Sequence, residues 1–380
     1  MSAGPQGDPF DVPIDGVSMA ELAAFFDGDA LFGVPLHEAD GLGPLYTRSS
    51  CGGCHATGLR GPGSVLKMAV VEGDGVTTSS DQSKLPWGNT VHPLVTAGAT
   101  TPITAPEDPS VLVSIRVGPP ILGRGYLEAI ADGEILRMAM EQSGRDDGIH
   151  GRVNHVVYAS EPNPDATFNA HQKGEMVIGR FGLKARIATL DEFTADALQG
   201  DMGITSPLRP TEIANPDGLT DDVKPGVDVD ADSVNRRATY MRLTAIPRRS
   251  GLTDEGRALF EGARCGVCHA PSLKTRADYP ISLLAGIDAP VFTDMLLHDM
   301  GDALADGVID GQAASRDWRT APLIGLRFNK TFMHDGRAAT VEEAILLHDG
   351  KGSEAADSIA RFRALSAADH DALLAFVSAL

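Results

Sequence analysis

Two short cysteine motifs contain the residues of this sequence that are best suited to chemistry. The pattern C-x-x-C-H occurs at residues 51–55 and again at 265–269, and the two copies use all four cysteines of the chain. Two thiols at this spacing can add to the two vinyl groups of one porphyrin, and the adjoining imidazole can then bind the iron. Each copy predicts one covalently attached haem c. The attachment residues are Cys51, Cys54 and His55 in the first copy and Cys265, Cys268 and His269 in the second.

Zinc, disulfide and thioredoxin-like interpretations fit these cysteines less well. A four-thiolate zinc site needs ligands that are close in sequence or that converge in space, whereas the two pairs lie more than 200 positions apart. Each pair also has its own adjoining histidine, which a disulfide or a dithiol redox pair does not require. If haem uses all four cysteines, none remains for a disulfide.

Length and charge indicate a folded protein of more than one domain and exclude some partners. The chain has 380 residues, enough for two domains with their own cores. A net charge of −20 leaves no excess of Lys and Arg to neutralise phosphates, so we expect no nucleic-acid partner. Such an acidic surface favours basic partners or metal cations. The apolar runs are short and interrupted, so we expect no transmembrane segment.

The first 17 residues bear on the expected location of the protein. They are polar, rich in Gly, Pro and Asp, and lack the basic start and apolar centre of a secretory signal. Bacterial haem c attachment takes place outside the cytoplasm. We therefore expect a periplasmic or otherwise exported protein whose export signal has been removed, with residues 1–17 disordered or extended.

The sequence upstream of the two motifs repeats. G-x-A-L-F occurs at residues 28–32 and at 256–260, each time shortly before a C-x-x-C-H motif. Ser18 and Thr253 are candidate N-caps of the helices that carry this text. Ser366 begins a last amphipathic helix, of the kind that a cytochrome c domain packs across its first helix. The repeat therefore predicts an internal duplication of a cytochrome c fold.

The predicted fold class is mainly α, with two cytochrome c-like haem domains, long loops and a few short strands. Strand candidates lie at residues 65–71 and 111–117, and helical patterns lie at 126–140 and around 190–198. The aspartate-rich run at 220–232 indicates an exposed linker. The predicted domain bounds are 18–219 for the N-terminal haem domain with its inserted loops, 220–249 for the linker and 250–380 for the C-terminal haem domain.

The second axial position of each iron decides between electron storage and reaction with oxygen species. Thr340 and Glu343 predict a capped helix on which His348 falls seven residues after Val341, on the apolar face. A buried imidazole needs a partner, which here could be a haem iron or a backbone carbonyl.

Several longer stretches resemble a known family. F-M-H-D-G-R at residues 332–337, followed by T-x-E-E-A at 340–344, resembles the bacterial dihaem cytochrome c peroxidase and MauG superfamily. Five further stretches are similar to its di-haem oxidoreductase branch, also labelled thiol oxidoreductase: G-L-G-P-L-Y before Cys51, G-Y-L-E-A-I at 125–130, G-D-M-G-I-T-S-P at 200–207, L-L-H-D-M-G at 296–301 and W-R-T-A-P-L at 318–323. The resemblance spans nearly the whole chain.

The resemblance implies different ligands for the two irons. In this superfamily the helix after the H-D-G turn supplies the distal ligand of the C-terminal haem, and His348 occupies the matching position. The second iron would then be bound by His269 and His348 and suited to electron transfer, with three methionines as alternative ligands: Met295, Met300 and Met333. The first haem has no comparably placed ligand. The histidines that follow it lie mostly in polar surroundings: His92, His150, His155 and His171.

The resemblance also implies roles for four other residues. Glu128 is similar to the glutamate that overlooks the peroxidatic haem, where it would act as general acid and base; otherwise it is a solvated helix residue. Trp87 and Trp318 are the only tryptophans, and either one could relay electrons between the haems or belong to the core. Arg319 could pair with a haem propionate.

The implied activity is reduction of hydrogen peroxide at an open N-terminal haem, with electrons supplied by a small redox protein or another electron donor. Alternatively, peroxide would oxidise a partner protein, as in MauG relatives, or dioxygen would be inserted into an organic substrate, as in dihaem rubber oxygenases. A non-enzymatic dihaem electron-transfer cytochrome also stays open. The superfamily holds a calcium ion near positions equivalent to Asn329 and Thr331, although the asparagine expected from the first domain is not evident.

Overall fold

The computed structural model describes residues 11–96, 98–220 and 224–380. Within these residues the chain forms ten α-helices, a few 3-10 turns and ten strands, all of them short. The helices are α1 Met19–Gly33, α2 Arg124–Ala129, α3 Asp132–Ser143, α4 Leu190–Met202, α5 Ala231–Leu243, α6 Asp254–Gly262, α7 Cys265–Cys268, α8 Val341–Leu346, α9 Ala356–Arg363 and α10 Ala367–Ser378. A mainly helical fold with short strands agrees with the predicted fold class.

The strands form five antiparallel pairs. They are β1 Leu45–Tyr46, β2 Ser64–Val70, β3 Leu94–Val95, β4 Val111–Val117, β5 His155–Val157, β6 Met176–Ile178, β7 Leu273–Lys274, β8 Asp288–Ala289, β9 Leu297–Asp299 and β10 Asp317–Arg319. The longest pair joins β2 to β4, with Ser64 opposite Val117 and Val70 opposite Val111. These two strands were predicted from the sequence, and both are confirmed to within one residue.

Helix starts follow local capping rules. The Ser18 hydroxyl accepts the Glu21 amide while the Glu21 carboxylate accepts the Ser18 amide, so that both halves of a capping box are formed. Thr253 and Ser366 cap α6 and α10 in the same way with their hydroxyls. Each such cap contributes about 1 kcal/mol to the free energy of unfolding. All three predicted helix starts are therefore confirmed.

The repeated G-x-A-L-F text has the same packing role in both halves. Helix α1 packs against α5, and α6 packs against α10. A Cβ on Gly28 would lie 2.6 Å from the Cβ of Tyr240, and a Cβ on Gly256 would lie 2.5 Å from the Cβ of Phe376. Each glycine thus allows two helices to cross at close range, which explains why the repeat begins with this residue type.

The phenylalanine that ends each G-x-A-L-F repeat packs against the same residue that its glycine approaches. The Phe32 ring lies 5.1 Å from the Tyr240 ring, and the Phe260 ring lies 5.6 Å from the Phe376 ring. Tyr240 on α5 and Phe376 on α10 therefore occupy equivalent places. This supports the predicted internal duplication and identifies α5 as the counterpart of the terminal helix.

This correspondence revises the predicted linker at 220–249, because that segment contains α5. Val234, Ala238 and Met241 are buried on this helix, and the Asp230 side chain caps it by accepting the Ser233 amide. Part of the acidic run therefore has structural roles instead of being solvated. Residues 221–223 lie outside the described residues.

Two smaller predictions are also revised. The helical pattern at 126–140 is interrupted, because α2 ends at Ala129 and the chain is extended at Ile130, which bridges Thr275. Of the N-terminal residues 1–17, the first ten lie outside the described part, while Ile14 is buried and its amide donates to the Leu243 carbonyl. The part of this segment that is described thus packs onto the end of α5 and contains a turn at residues 15–16.

The largest hydrophobic core joins the two halves. It contains Phe25 and Phe32 from α1 together with Leu273, Leu284 and Val291 from the region after the second motif. A second core, built around Phe260 and Phe376, belongs to the C-terminal half alone. No helix among the described residues is long and apolar enough to span a membrane.

Candidate functional site

The first C-x-x-C-H motif forms a 3-10 turn at Cys51–Gly53 that the Ser50 hydroxyl caps. The His55 Nδ1 lies 2.6 Å from the Pro119 carbonyl oxygen. A carbonyl can only accept, so Nδ1 carries the proton, and Nε2 keeps the lone pair that binds a metal. Burial lowers the pKa of His55 to about 4, which keeps the imidazole neutral. The ring is thus prepared as an iron ligand.

The second motif has the same arrangement on a different backbone. Cys265–Cys268 form the short helix α7, which follows Arg264 in a left-handed conformation with φ of 63°. The His269 Nδ1 donates to the Phe292 carbonyl at 3.2 Å, and burial lowers the pKa of His269 to about 4. Both predicted proximal histidines therefore have a free Nε2.

Each motif borders a cavity. The first cavity, of about 80 Å³, is lined by Cys51, Cys54 and His55, and the second, of about 280 Å³, by Cys265, Cys268 and His269. Burial raises the pKa of Cys54 to about 11 and that of Cys265 to about 12, so these thiols are poor candidates for thiol exchange.

The second cavity also contains the predicted distal histidine. His348 lines it together with His269, His298 and His334, and the His348 Nδ1 donates to the Ala344 carbonyl at 2.7 Å. Its Nε2 is therefore free, as in the two motif histidines. Helix α8 ends at Leu346, so His348 lies just beyond the helix on which it was predicted. Of the three alternative methionines, Met300 and Met333 line this cavity, whereas Met295 is buried in the main core.

The first cavity has a different wall. Among the described residues His55 is its only histidine, and none of His92, His150, His155 and His171 lines it. One face of α4 borders it instead: Leu190, Phe193, Thr194, Ala197 and Asp201. Met202 and Met241 also line this cavity. Asp201 was not predicted as a site residue, although it lies within the G-D-M-G stretch that carried the family resemblance.

Asp201 is the carboxylate of the first cavity. Burial raises the pKa of Asp201 to about 6, and nearby Lys67 partly opposes this. No hydrogen bond or ion pair of its carboxylate is found among the described residues, and its backbone carbonyl accepts the Thr47 amide. A half-buried carboxylate that lines a cavity and has a pKa near 6 can exchange a proton near neutral pH.

Glu128 lies elsewhere, in a buried polar network. Its carboxylate accepts from Arg242 Nε at 2.6 Å, from Tyr279 Oη at 2.7 Å and from the Leu190 amide at 2.7 Å. It lines neither cavity. This arrangement does not support the proton-carrier role predicted for Glu128, because both oxygens already have strong donors.

Neither tryptophan lines both cavities. Trp87 is 40% exposed and borders neither cavity. Trp318 lines the second cavity only, where its ring stacks on His334 with centroids 3.9 Å apart, and Lys184 Nζ lies 4.6 Å from the indole. A buried cation beside an indole disfavours its oxidation to a cation. The relay predicted for either tryptophan is not favoured by this geometry.

The predicted calcium site finds little support. Asn329 borders the second cavity with a buried, unpaired Oδ1, but no acidic cluster accompanies it among the residues that the structure describes. Among the described residues, the only three close potential metal ligands of the His, Cys, Asp and Glu types are Cys268, Asp294 and His298. Cys268 is predicted to bond to haem. His298 is already bonded to Asp294 at 2.9 Å and to Glu354 at 2.7 Å.

The residues around the two cavities fit haem. Each cavity has two thiols and a histidine with a free Nε2. Each is also lined by an arginine whose Nε is buried and unpaired: the buried Arg237 in the first and the half-buried Arg60 in the second. Neither arginine has an ion-pair partner among the described residues. Haem supplies two carboxylates, the groups that such guanidinium side chains bind best.

The chain belongs to the di-haem oxidoreductase family. The family model described as "Di-haem oxidoreductase, putative peroxidase" matches residues 104–380, a range that begins after the first C-x-x-C-H motif and includes the second. This confirms the resemblance identified from the sequence, and membership implies two haems. No match was found among curated proteins.

Two solved structures are similar to the chain at low identity. The diheme peroxidase BthA from Burkholderia thailandensis is 15% identical, with a TM-score of 0.43 and coverage of 98% of this chain and 88% of BthA. Hydrazine synthase from Kuenenia stuttgartiensis is 13% identical, with a TM-score of 0.36 and coverage of 100% and 98%. Similarities at this level carry no functional conclusion.

Proposed function

We propose that this chain is an exported c-type di-haem oxidoreductase that reduces hydrogen peroxide at its first haem, with electrons relayed by its second. Family membership supports the broader class, a di-haem peroxidase-like oxidoreductase. The finer proposal rests on one observation, the asymmetry of the two cavities. Two histidines with a free Nε2, His269 and His348, line the second cavity, whereas His55 is the only histidine of the first within the described part of the chain.

The second cavity is suited to a closed, electron-transferring iron. His269 and His348 each use Nδ1 to bond a backbone carbonyl, which orients both rings without consuming the nitrogen that binds iron. Most of the cavity lining is apolar, including Phe260, Leu373 and Val377. An apolar wall and two fixed ligands limit reorganisation when the charge of the site changes.

The first cavity is suited to a reaction with a small polar substrate. When bound, haem supplies the redox chemistry of peroxide reduction. The chain supplies His55 on one side and Asp201 as the group able to accept a proton at its carboxylate and return it. This transfer is the general acid and base function that peroxide cleavage needs, and it typically contributes 10²–10⁴-fold.

The structure suggests a revised division into haem units. We infer that the first unit extends through α5, because α5 packs on α1 as α10 packs on α6, and that the second begins near α6. Covalent attachment through the two motifs implies maturation outside the cytoplasm. With a net charge of −20, the chain favours a basic redox protein as electron donor.

The first test is the spin state of both irons, measured by low-temperature electron paramagnetic resonance before and after peroxide. We expect one high-spin and one low-spin haem, with the high-spin signal consumed by peroxide. Two low-spin haems that ignore peroxide, also after one-electron reduction, would contradict the proposal. A long-lived doubly oxidised state with little turnover of small donors would instead indicate oxidation of a partner protein.

A second candidate is a non-enzymatic electron-transfer cytochrome. The observation in its favour is that Met241, on α5, lines the first cavity, where its thioether could occupy the open axial position. The same resonance experiment separates the two candidates. Met241→Ala would create a high-spin first haem only if the methionine closes that iron.

A further inference from the structure

The helix pair next to the first motif contains a cluster of aromatic rings. The Tyr240 ring of α5 lies 5.1 Å from the Phe32 ring of α1, and the Phe32 ring lies 6.1 Å from the His55 imidazole. The Tyr240 ring also lies 5.2 Å from Phe25, whose ring is 5.5 Å from that of Phe26. Phe26 is 56% exposed. The cluster therefore connects the predicted proximal histidine of the first site with the surface of α1.

Tyr240 lies directly behind the first cavity. The next residue in sequence, Met241, lines that cavity, whereas Tyr240 does not. Tyr240 is only 1% exposed. Its ring is thus screened from solvent and from any molecule in the cavity, while Phe32 and His55 place it close enough to exchange electrons with a haem bound there.

The phenol of Tyr240 has a proton acceptor. Its Oη donates a hydrogen bond to the Asp11 carboxylate. Asp29 on α1 is in hydrogen-bond contact with Asp11, so the phenol faces a pair of carboxylates. Such a pair takes up a proton readily, because two adjacent negative charges repel each other. A phenol that loses an electron becomes a strong acid, so a base within hydrogen-bond reach is what oxidation of a tyrosine requires.

The second half of the chain has the same packing without the phenol. Phe376 on α10 occupies the place of Tyr240, and its ring lies 5.6 Å from that of Phe260, the counterpart of Phe32. Phenylalanine has no acidic hydroxyl and is much harder to oxidise than tyrosine. A benzene ring is therefore sufficient for the helix crossing, and the hydroxyl of Tyr240 requires a separate explanation.

Tyr279 also donates to a carboxylate, but in a different setting. Its Oη donates to Glu128 at 2.7 Å, and Glu128 also accepts from Arg242 at 2.6 Å. A guanidinium partner lowers the proton affinity of a carboxylate, so Glu128 is a poor base. The Tyr279 ring packs on Phe168. A hydrogen bond to a carboxylate is thus not sufficient to make a tyrosine suitable for oxidation.

We propose that Tyr240 is a redox-active residue that gives one electron to the first haem site after hydrogen peroxide has oxidised that site. This step rests on the proposed function. The electron leaves the phenol, the Oη–H bond breaks, and the proton bonds to an oxygen of Asp11. Tyr240 is left as a neutral radical, and the first site is reduced by one electron.

The electron count of this step closes with the proposed reaction. Hydrogen peroxide takes two electrons and two protons when it becomes two waters, so Tyr240 holds one of the two oxidising equivalents. An electron from the electron donor, together with the proton returned by Asp11, then restores the phenol. Tyr240 thereby stores an oxidising equivalent away from the cavity until a donor arrives.

The test is electron paramagnetic resonance of the complete holoprotein, frozen at intervals after mixing with hydrogen peroxide. We expect an organic radical signal that narrows when the protein is produced with ring-deuterated tyrosine, because ring protons cause its splitting. Tyr240→Phe should abolish this signal while two haems stay bound, since Phe376 shows that the packing accepts a phenylalanine. Absence of a tyrosyl radical in the wild type, or its persistence in Tyr240→Phe, would overturn the proposal.

A second variant tests the proton acceptor and does not alter the helix crossing. Asp11→Asn keeps the size of the side chain but cannot take up the proton, so the radical signal should be strongly reduced. Radical formation in the wild type should also be slower in D₂O, because a proton moves with the electron. An unchanged radical yield in Asp11→Asn, with no effect of D₂O, would contradict the assigned step.

Tyr279→Phe is the matched control, because it also removes a phenol that donates to a carboxylate. This variant should retain the radical signal. Loss of the signal in Tyr279→Phe, with retention in Tyr240→Phe, would assign the radical to Tyr279 and reject Tyr240.

Peroxide consumption separates failure of this proposal from failure of the proposed function. If the wild type consumes peroxide at its first haem without forming a tyrosyl radical, the assignment of Tyr240 fails and the proposed function stands. If the first haem does not react with peroxide, both fail.

Discussion

The two C-x-x-C-H regions have nearly the same local construction and lead into different cavities. Each follows a helix whose glycine permits close crossing with a second helix, Gly28 with α5 and Gly256 with α10. In each motif the histidine donates a hydrogen bond from Nδ1 to a backbone carbonyl. Duplication thus preserved the part of the structure that presents a thiol pair and an imidazole.

The two cavities differ in the types of residue that line them besides the motif residues. The second cavity has His348, whereas the first has one face of α4 with Asp201. A ligand that closes an iron and a carboxylate that moves a proton suit different tasks. On the proposed function, the repeated element attaches each haem, and the elements that complete each cavity set its reactivity.

The largest expected effect concerns haem attachment and tests whether each C-x-x-C-H motif binds one haem covalently. The double variant Cys265→Ala with Cys268→Ala should reduce covalently bound haem from two per chain to one, because a thioether bond needs the thiol. Mass spectrometry of the denatured protein measures this directly. The variant Cys51→Ala with Cys54→Ala should give the mirror result; two covalent haems in either variant would disprove the assignment.

Removing the ligand that distinguishes the cavities should make them more alike. His348→Ala should convert the low-spin second haem to a high-spin form, since its axial position would open. Electron paramagnetic resonance of the oxidised protein detects the loss of the low-spin signal. Met300→Ala is the control, because Met300 lines the same cavity; loss of the low-spin signal in that variant alone would assign the ligand to the methionine.

The carboxylate of the first cavity can be compared with the one predicted from the family resemblance. Asp201→Asn should slow peroxide turnover at least about 10²-fold while two haems stay bound, because a positioned proton carrier is lost. Glu128→Gln, matched in chemistry but outside the cavity, should have the smaller effect. A larger loss of turnover in Glu128→Gln than in Asp201→Asn would assign the proton-transfer role to Glu128 instead.

The structural role of Glu128 predicts an effect on stability instead. Glu128→Ala leaves Arg242 buried with one fewer carboxylate and should lower the free energy of unfolding by about 3–5 kcal/mol. Denaturant titration followed by circular dichroism measures the change. Glu141→Ala breaks a pair with Arg137 in which both side chains are exposed, and should cost less than about 1 kcal/mol. Similar values for both variants would argue against the buried network.

The smallest expected effects concern the repeated glycines. Gly28→Ala and Gly256→Ala place a methyl group against the Cβ of Tyr240 and of Phe376, and overpacking of this kind costs about 1–3 kcal/mol. A gain of about 1 kcal/mol in helix propensity partly offsets it. Denaturant titration should show both variants destabilised. Gly133→Ala, on α3 with open space around it, should be neutral or stabilising.

Several features of this protein were encoded locally and could be predicted from the sequence. Helix caps at Ser18, Thr253 and Ser366 depend on contacts three residues apart, so spacing alone was sufficient. The haem motifs depend on residue types within five positions. The family resemblance, later confirmed, also drew attention to His348, which the structure places in the same cavity as His269.

Tertiary structure alone decided which distant side chains share a cavity or a network. Arg242 lies 114 positions after Glu128 in the sequence. In the folded protein it forms a buried ion pair with Glu128, the residue that was predicted to transfer protons. Helix α5 was obscured by the acidic residues before it, although one of them, Asp230, is its N-cap. Asp201 was not predicted as a site residue, because its role depends on charge, burial and neighbours that only folding brings together.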